Sequence, residues 1–251
     1  MKQKHKLDKR TKPPSQNEKL RKFPIFNNLN LIACLTFCII LGYLHTIHIF
    51  TLFENDKHFS HLSTLERELS FRTESGLYYY YFKILVNDQN SSLYSLVNKL
   101  IINDARTEYP NRINTLERFN LYPEVFVAFL YRLANGFGWL AKTCWEVNRD
   151  ENMPPVESCE GLLEPIYFYS QSIFVLHGLS MGFLFFLCWL LNEQSLWAGL
   201  IGCLCYFFNH SEATRVMWTP ALRENFSFPF HLLQMISVTY FIKLNRQTRF
   251  R

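Results

Sequence analysis

The stretch LIACLTFCIILGYLHTIHIFTLF, at residues 31–53, decides the fold class because it contains no Asp, Glu, Lys or Arg. As a helix it is long enough to cross a hydrocarbon core of about 30 Å. It is longer than the apolar part of a signal peptide, and no small-residue cleavage site follows it. Charged residues end it abruptly after Phe53. We therefore predict an uncleaved membrane-spanning helix over 31–53.

Three further apolar runs lie in the second half of the chain. Residues 167–191 carry no formal charge and are long enough to span a membrane. Residues 196–208 are short, so by length alone they fit either a span or a re-entrant segment. Residues 226–242 form the last run, and we place Pro229 in its first helical turn, where proline is tolerated.

Basic residues cluster at the two ends of the chain. The segment 1–30 is rich in Lys and Arg, and the tail 243–251 has basic residues and no acidic ones. The positive-inside rule places both in the cytosol, the first as a disordered segment. Two cytosolic ends need an even number of crossings, so 196–208 is predicted to cross the membrane. Residues 54–165 and 209–225 then face the lumen of the endoplasmic reticulum.

Composition agrees with a membrane protein. Aromatic residues make up 17% of the 251-residue chain and charged residues 19%, against about 25% charged in soluble domains. The net charge of +5 comes from the basic ends, so it does not indicate a nucleic-acid partner. The sequence predicts an all-α multi-pass membrane protein with a large helical luminal loop.

Two features of the 54–165 loop fit a luminal compartment. Asn90-Ser91-Ser92 is a glycosylation sequon in a polar stretch. Cys144 and Cys159 are the only cysteines of this loop. In an oxidising lumen they could form a disulfide, and the alternative is two unpaired thiols.

Two helices are predicted in the same loop, over 62–82 and 119–142. The second has an apolar stripe that includes Phe126, Phe129 and Leu133. The stripe could rest on the membrane surface, or it could pack on the rest of the loop.

The first polar group lies in the word LERELSFRTESG. Glu68 and Arg72 are at i and i+4, so we predict a helical ion pair, and we interpret Glu66 and Glu68 as a solvated face. Glu74 precedes Ser75-Gly76, where a helix can end, and then a Tyr-rich segment. It is either another solvated carboxylate or a partly desolvated one suited to acid or base chemistry.

The second polar group follows the third apolar run. Its members are Asn209, His210, Glu212, Arg215, Trp218, Arg223 and Glu224. Such a loop can cap helices and bind headgroups, or hold an anionic lipid head, since arginine presents a planar fork to phosphate. By the predicted topology it lies on the same face of the membrane as Glu74. The sequence contains no P-loop, GxGxxG, HExxH or CxxC motif, and for His45 and His48 we favour packing on helices or headgroups over metal binding.

Several uncommon words carry a resemblance to a known family: HTIHIFTLFENDKHFSHL at 45–62, ERELSFRTE-GLYY at 66–79, NTLERFNLYPEV at 114–125, PVESCEG at 155–161 and NHSEATRVMWTP-LRENFSFPF at 209–230. Over about 44–242 the chain closely resembles the dumpy-nineteen family of tryptophan C-mannosyltransferases. The resemblance implies the N-terminal part of a GT-C glycosyltransferase bundle in the endoplasmic reticulum membrane. It implies transfer of mannose from dolichyl phosphate mannose to C2 of a tryptophan indole, in W-x-x-W sequences of nascent secretory and membrane proteins, with no metal and no cofactor.

The resemblance also implies roles for individual residues. Glu74, in the RTE-x-G word, would be the catalytic carboxylate, and Arg215, in the EATR word, would bind the lipid phosphate. The supporting candidates are Arg72, His210, Glu212 and Arg223.

The chain departs from the family pattern in composition and length. It has Ser75 where we expect Met, Ser211 where we expect Gly and Met217 where we expect Gln. It also stops after the fourth apolar run, so we expect a truncated member or a fragment. The rival expectation is a non-enzymatic membrane protein of the nuclear envelope, of the kind that acts in sperm-head formation and resides in the inner nuclear membrane.

Overall fold

The computed structural model describes residues 28–148 and 153–249. Most of the basic segment 1–30 and the last two residues lie outside this described part. This described part is mostly helical and contains one small sheet. The helices are α1 Asn28–Lys57, α2 Thr64–Leu69, α3 Ser75–Asn87, α4 Leu93–Leu96, α5 Thr115–Arg118, α6 Tyr122–Gly136, α7 Pro165–Leu191, α8 Leu196–Phe208, α9 His210–Ala213 and α10 Arg223–Arg249; the strands are β1 Thr143–Val147 and β2 Val156–Glu160.

Two helices of the described part, α1 and α7, are long and apolar enough to cross a membrane. They contain the predicted spans 31–53 and 167–191. The third predicted run coincides with α8, which is apolar but short. The fourth run lies within α10, which does not meet the same measure of length and hydropathy. Crossing of the membrane by all four helices stays a prediction.

The start of α10 corrects the predicted place of Pro229. Because the helix already begins at Arg223, Pro229 lies inside it and not in its first turn. Asn225 lies in the added turn, and its Nδ2 donates to the carbonyl oxygens of Thr219 and Pro220 at 2.9 Å each. Proline at position 229 cannot donate the amide hydrogen bond that a helix makes at that place.

Helices α1 and α7 pack through small residues. A Cβ atom on Gly178 of α7 would lie 2.7 Å from the carbonyl oxygen of Gly42 in α1. One on Gly182 would lie 3.0 Å from the carbonyl oxygen of Cys38. The two backbones therefore touch where the side chains are smallest, as is common between membrane helices. An apolar cluster continues from this contact to α8 and α10, with Phe185 and Trp189 fully buried.

A second cluster, rich in aromatic rings, joins the 54–165 loop to the first turns of α7. Phe82 of α3 stacks on Tyr169 of α7 with ring centroids 4.8 Å apart. Tyr131 of α6 meets Phe82 edge-on at 6.1 Å. These rings are buried, so the loop has an apolar core of its own that is fixed to the end of α7.

The prediction of an all-α chain needs one correction. Strands β1 and β2 form an antiparallel pair in which Cys144 lies opposite Cys159, and the two form a disulfide. Trp145 and Val147 suit a strand, and the cross-link holds the pair together. A pair of such short strands gives little periodic signal, which is why the sequence pattern did not reveal it.

The predicted helix 62–82 is broken into α2 and α3. Ser63 begins α2 with a capping box, in which its backbone N–H donates to the Glu66 carboxylate at 2.8 Å. The chain then leaves the helix at residue 70, and Thr73 adopts a left-handed φ of 55°. Glu74 therefore precedes the start of a helix, where the sequence suggested the end of one.

The predicted helix 119–142 is the shorter α6. Its Val127, Ala128 and Tyr131 are buried, whereas Phe126 and Phe129 are 60% and 49% exposed. Val125 of the stripe packs against the aromatic cluster of the loop, whereas Leu133 is exposed like Phe126 and Phe129. The loop therefore holds only part of the stripe, and contact of the exposed part with the membrane surface stays a prediction.

Candidate functional site

Glu74 lies at the open N-terminal end of α3. Its carbonyl oxygen accepts the first helical hydrogen bond, from the backbone N–H of Tyr78 at 3.1 Å. Its carboxylate makes no capping hydrogen bond and the residue is exposed. The predicted desolvation of Glu74 by the Tyr-rich segment is therefore wrong in this chain. The carboxylate is open to a ligand at a fixed backbone position.

The other acidic residues of this word have structural partners. Glu68 accepts hydrogen bonds from Lys83 at 2.7 Å and from the Tyr79 hydroxyl at 3.0 Å. The predicted ion pair between Glu68 and Arg72 is wrong, because α2 ends at Leu69 and the i, i+4 relation is lost. Arg72 is instead 3.9 Å from a carboxylate oxygen of Asp56. Glu68 is half-buried and holds α3, so the predicted solvated face is wrong for Glu68, whereas Glu66 caps α2 and is exposed as predicted.

Arg215 combines a fixed backbone with an exposed charge. Its carbonyl oxygen accepts from the backbone N–H groups of Trp218 and Thr219, at 3.1 and 2.9 Å. The next two residues, Val216 and Met217, are buried and anchor the turn. The side chain is 67% exposed, and its guanidinium donates to Glu224 at 2.8 Å. The turn thus presents a positive charge at the surface from a rigid base.

Two buried side chains hold the turn of Arg215 on the helices below it. The Thr214 hydroxyl lies 3.3 Å from Nε2 of His177 in α7. Asn225 is 2% exposed, and its side-chain amide donates to the carbonyl oxygens of Thr219 and Pro220. Asn225 also begins a sequon, but in the folded chain this side chain is committed to the turn.

The structure reveals a buried ionic contact that the sequence did not suggest. Glu124, at the start of α6, is fully buried and accepts a hydrogen bond from the Tyr169 hydroxyl at 2.8 Å. Arg223 donates to the same carboxylate through Nη1 at 2.9 Å, and its Nη2 lies 2.8 Å from the second oxygen. Burial raises the pKa of Glu124, while Arg223 and Tyr169 act against that rise. No local pattern could have shown this pair, since its members are far apart in the sequence.

Arg223 also connects the two predicted site regions. Its guanidinium lies over the ring of Tyr78, 3.7 Å from the centroid, and Tyr78 is one helical turn after Glu74. The next residue in the chain, Glu224, pairs with Arg215. The structure therefore joins the helix of Glu74, Arg223 and the turn of Arg215 through successive contacts.

The remaining predicted residues are outside this group. Arg72 faces Asp56. Glu212 is exposed, and the side chain of His210 lies outside the described part of the structure. Asn90 is exposed, with its backbone N–H donating to Asp88 at 3.2 Å, so glycosylation there stays a prediction.

Two groups of side chains in the described part contain residue types that can bind a metal ion. Cys144, Glu157 and Cys159 have ligand atoms close enough for one ion, but the two sulfurs are joined as a disulfide and offer no thiolate. The ring of His45 packs on those of His177 and Tyr206, at centroid distances of 5.9 and 5.8 Å. These rings lie between α1, α7 and α8, in keeping with the predicted packing role of His45.

Residues 39–251 match the model of a protein family, Dpy19, described as Q-cell neuroblast polarisation. The chain belongs to the Dpy19 family. The family predicted from the uncommon sequence words is thereby confirmed.

Relatives of this Dpy19 chain carry enzyme names. It is 53% identical to the human protein C-mannosyl-transferase DPY19L1, over 82% of the chain and 30% of that relative. It is 48% identical to the C-mannosyltransferase dpy-19 of Caenorhabditis briggsae, over 89% of the chain and 32% of the relative. It is 51% identical to the human probable C-mannosyltransferase DPY19L2, over 84% of the chain and 28% of the relative. The chain resembles glycosyltransferases, and it spans about 30% of the length of these relatives.

Proposed function

We propose that this Dpy19 chain takes part in C-mannosylation. Mannose would pass from dolichyl phosphate mannose to C2 of a tryptophan, in W-x-x-W sequences of nascent secretory and membrane proteins. The observation that carries the proposal is the placement of Arg215: an exposed guanidinium on a rigid turn, joined through Glu224 and Arg223 to the helix that begins after Glu74. The enzyme names of the relatives support the reaction class.

Arg215 is suited to the lipid phosphate. A guanidinium presents a planar fork to phosphate oxygens and keeps its charge at any physiological pH. Its partner Glu224 is 55% exposed, and exposed ion pairs contribute only about 0–1 kcal/mol. A phosphate can therefore compete for Arg215 at little cost. As the sugar–phosphate bond breaks, the same charge would stabilise the leaving phosphate.

Glu74 is suited to the acceptor. When a new bond forms at C2 of the indole, that carbon must lose its proton, and a carboxylate at a fixed position can accept it. The exposed Glu74 at the start of α3 meets this requirement. Arg72, Glu212 and His210 remain supporting candidates.

The proposed setting is the endoplasmic reticulum membrane, with the turn of Arg215 and the start of α3 on the luminal face. The apolar helices α1 and α7 support a membrane location. Four crossings would place both groups on that side. The part of the relatives' length that this chain does not cover would supply the rest of a GT-C bundle around the donor lipid.

The direct test is rescue of tryptophan C-mannosylation in cells that lack the family enzymes, read by mass spectrometry of a W-x-x-W reporter. Glu74→Gln and Arg215→Ala would be made in this chain and, at the matching positions, in the longer C. briggsae relative. Loss of the base is expected to lower the rate by about 10²–10⁴. Loss of Arg215 is expected to raise the donor KM and lower kcat, because one charge serves binding and departure of the phosphate.

The control is Glu117→Gln, an exposed carboxylate of the same loop. It should match the parent in both proteins. If Glu74→Gln and Arg215→Ala also match the parent in the longer relative, the proposed roles fail. If only the longer relative rescues, the activity needs more of the family chain than these 251 residues.

A further inference from the structure

We infer that Glu124 is a positioning residue for this transfer, holding Arg223 between the helix that follows Glu74 and the turn that carries Arg215. The inference rests on the proposed function and assigns Glu124 no contact with substrate. The carboxylate of Glu124 would fix the relative positions of Glu74 and Arg215.

The site of Glu124 is built for a charge. The residue has no exposed surface, and Tyr169, which donates to it at 2.8 Å, is equally buried. Arg223 approaches both carboxylate oxygens, at 2.9 and 2.8 Å. Three elements thus converge on one side chain: α6, the first turns of α7 and the first residue of α10.

Arg223 links two segments of the candidate site. On one side its guanidinium lies 3.7 Å from the ring centroid of Tyr78, a contact that needs the positive charge. On the other side the chain continues to Glu224, which binds Arg215 at 2.8 Å. A displacement of Arg223 would therefore move the start of α3 and the turn of Arg215 relative to each other.

A purely structural role does not need the charges of Glu124 and Arg223, whereas a positioning role does. If the pair only filled space, a neutral pair of similar shape would serve as well, since replacing both members of a buried ion pair removes the cost of an unpaired charge. If the pair positions the site, the neutral pair would restore folding but leave Tyr78 without a cation over its ring.

Three variants separate these roles: Glu124→Gln, the double variant Glu124→Gln with Arg223→Gln, and the control Glu68→Gln. Glu68 is a half-buried carboxylate that holds the same helix α3, through Lys83 and Tyr79, without touching Arg223. The first readout is amide hydrogen–deuterium exchange of the purified 251-residue chain. We expect both Glu124 variants to exchange faster than the parent at 74–79 and at 214–224 together. Glu68→Gln should speed exchange in α3 only.

The second readout is kinetic, in the longer C. briggsae relative with the matching changes. We expect the neutral pair to melt close to the parent temperature and to lower kcat by about 10²-fold, the typical cost of a misplaced catalytic geometry. The acceptor KM should change little. Glu68→Gln should keep the parent kcat.

Two results would overturn the inference. One is parent-like exchange at 214–224 in both Glu124 variants, whatever the activity. The other is a neutral pair with the parent kcat, which would leave Glu124 a structural residue. Failure of the proposed function looks different: Glu74→Gln would then be as active as the parent in the relative, while the exchange result would still decide whether Glu124 couples the two segments.

Discussion

Three arginines show how burial divides structural from binding roles. Arg67 is fully buried and donates to the carbonyls of Phe59 at 2.8 Å, Ser60 at 3.0 Å and Cys159, and to the Ser158 hydroxyl at 3.0 Å. Its donors are used within the protein, so it ties α2 to β2. Arg223 divides its guanidinium between a buried carboxylate and a ring. Arg215 alone of the three has a mostly exposed side chain, which makes it the one suited to an external anion.

The hydrogen bonds of Asp104 predict that the 54–165 loop loses stability in acid. Burial alone would raise its pKa, but hydrogen bonds from Thr107, the backbone N–H of Arg106 and the Tyr81 hydroxyl outweigh burial and hold the pKa below its usual range. A carboxylate with a lowered folded-state pKa stabilises the fold above its unfolded value of about 3.9, and this contribution is lost as pH falls through the folded-state pKa. We expect Asp104→Asn to cost about 1–3 kcal/mol at neutral pH.

The measurement is thermal unfolding of parent and Asp104→Asn at a series of pH values. The gap between their melting temperatures should be widest at neutral pH and should narrow below about pH 4. A gap that does not depend on pH would show that the charge of Asp104 contributes nothing.

At the scale of elements, features that depend on neighbouring residues can be predicted from the sequence, whereas features that depend on distant residues cannot. The limits of α7 and α8 follow closely from composition, because hydropathy is a local property, whereas α1 continues past the predicted end at Phe53 through charged residues to Lys57. The break between α2 and α3 depends on Thr73 adopting a positive φ, which no periodicity encodes. The resemblance implied roles for Glu74, Arg215 and Arg223 but none for Glu124, although Glu124 lies in the family word at 114–125. Its partners are distant in sequence, and only the fold brings them together.

The contact of α1 with α7 predicts a steric sensitivity at Gly178. Even the methyl group of alanine would meet the backbone of Gly42 at 2.7 Å, and backbone cannot swing aside. We expect Gly178→Ala to cost about 1–3 kcal/mol by overpacking, seen as a lower melting temperature in detergent. Gly136→Ala, where an added methyl group meets nothing within 4 Å, is the matched control and should melt like the parent. Equal melting temperatures for both variants would show that α1 and α7 can separate without loss.

At the scale of the whole molecule, helix α7 contributes to both apolar clusters. Its first half packs on α3 and α6 through Tyr169, and its second half packs on α1 and α8 through Phe185. The aromatic cluster of the 54–165 loop and the polar contact of Glu124 thus meet at the first turns of α7. This arrangement requires the loop 54–165 and the turn of Arg215 to be on the same side of the membrane.

The predicted topology can be checked by tagging each end and permeabilising only the plasma membrane. We expect antibodies to reach both tags, because the basic residues of segments 1–30 and 243–251 hold both ends in the cytosol. A protected C-terminal tag would mean an odd number of crossings, and α8, the shortest of the four predicted spans, would then be re-entrant.

The sequon at Asn90 gives an independent check on the same face. Asn90 is exposed, in a polar segment after α3, so we expect it to carry a glycan if the loop is luminal. Endoglycosidase should then increase the mobility of the parent and leave Asn90→Gln unchanged. Identical mobility of the two proteins without the enzyme would count against a luminal loop.

The pairing of Glu124 with Arg223 also sets an order of events during synthesis. The two residues are 99 positions apart, so at about 5–20 residues per second the arginine follows the carboxylate by roughly 5–20 s. Until then, closing the aromatic core over Glu124 would bury a lone charge at a cost of several kcal/mol. The large loop, although made early, must therefore wait for the last helix before it can close. Nascent chains arrested before residue 223 should leave this loop open to protease, and chains arrested well after it should protect the loop.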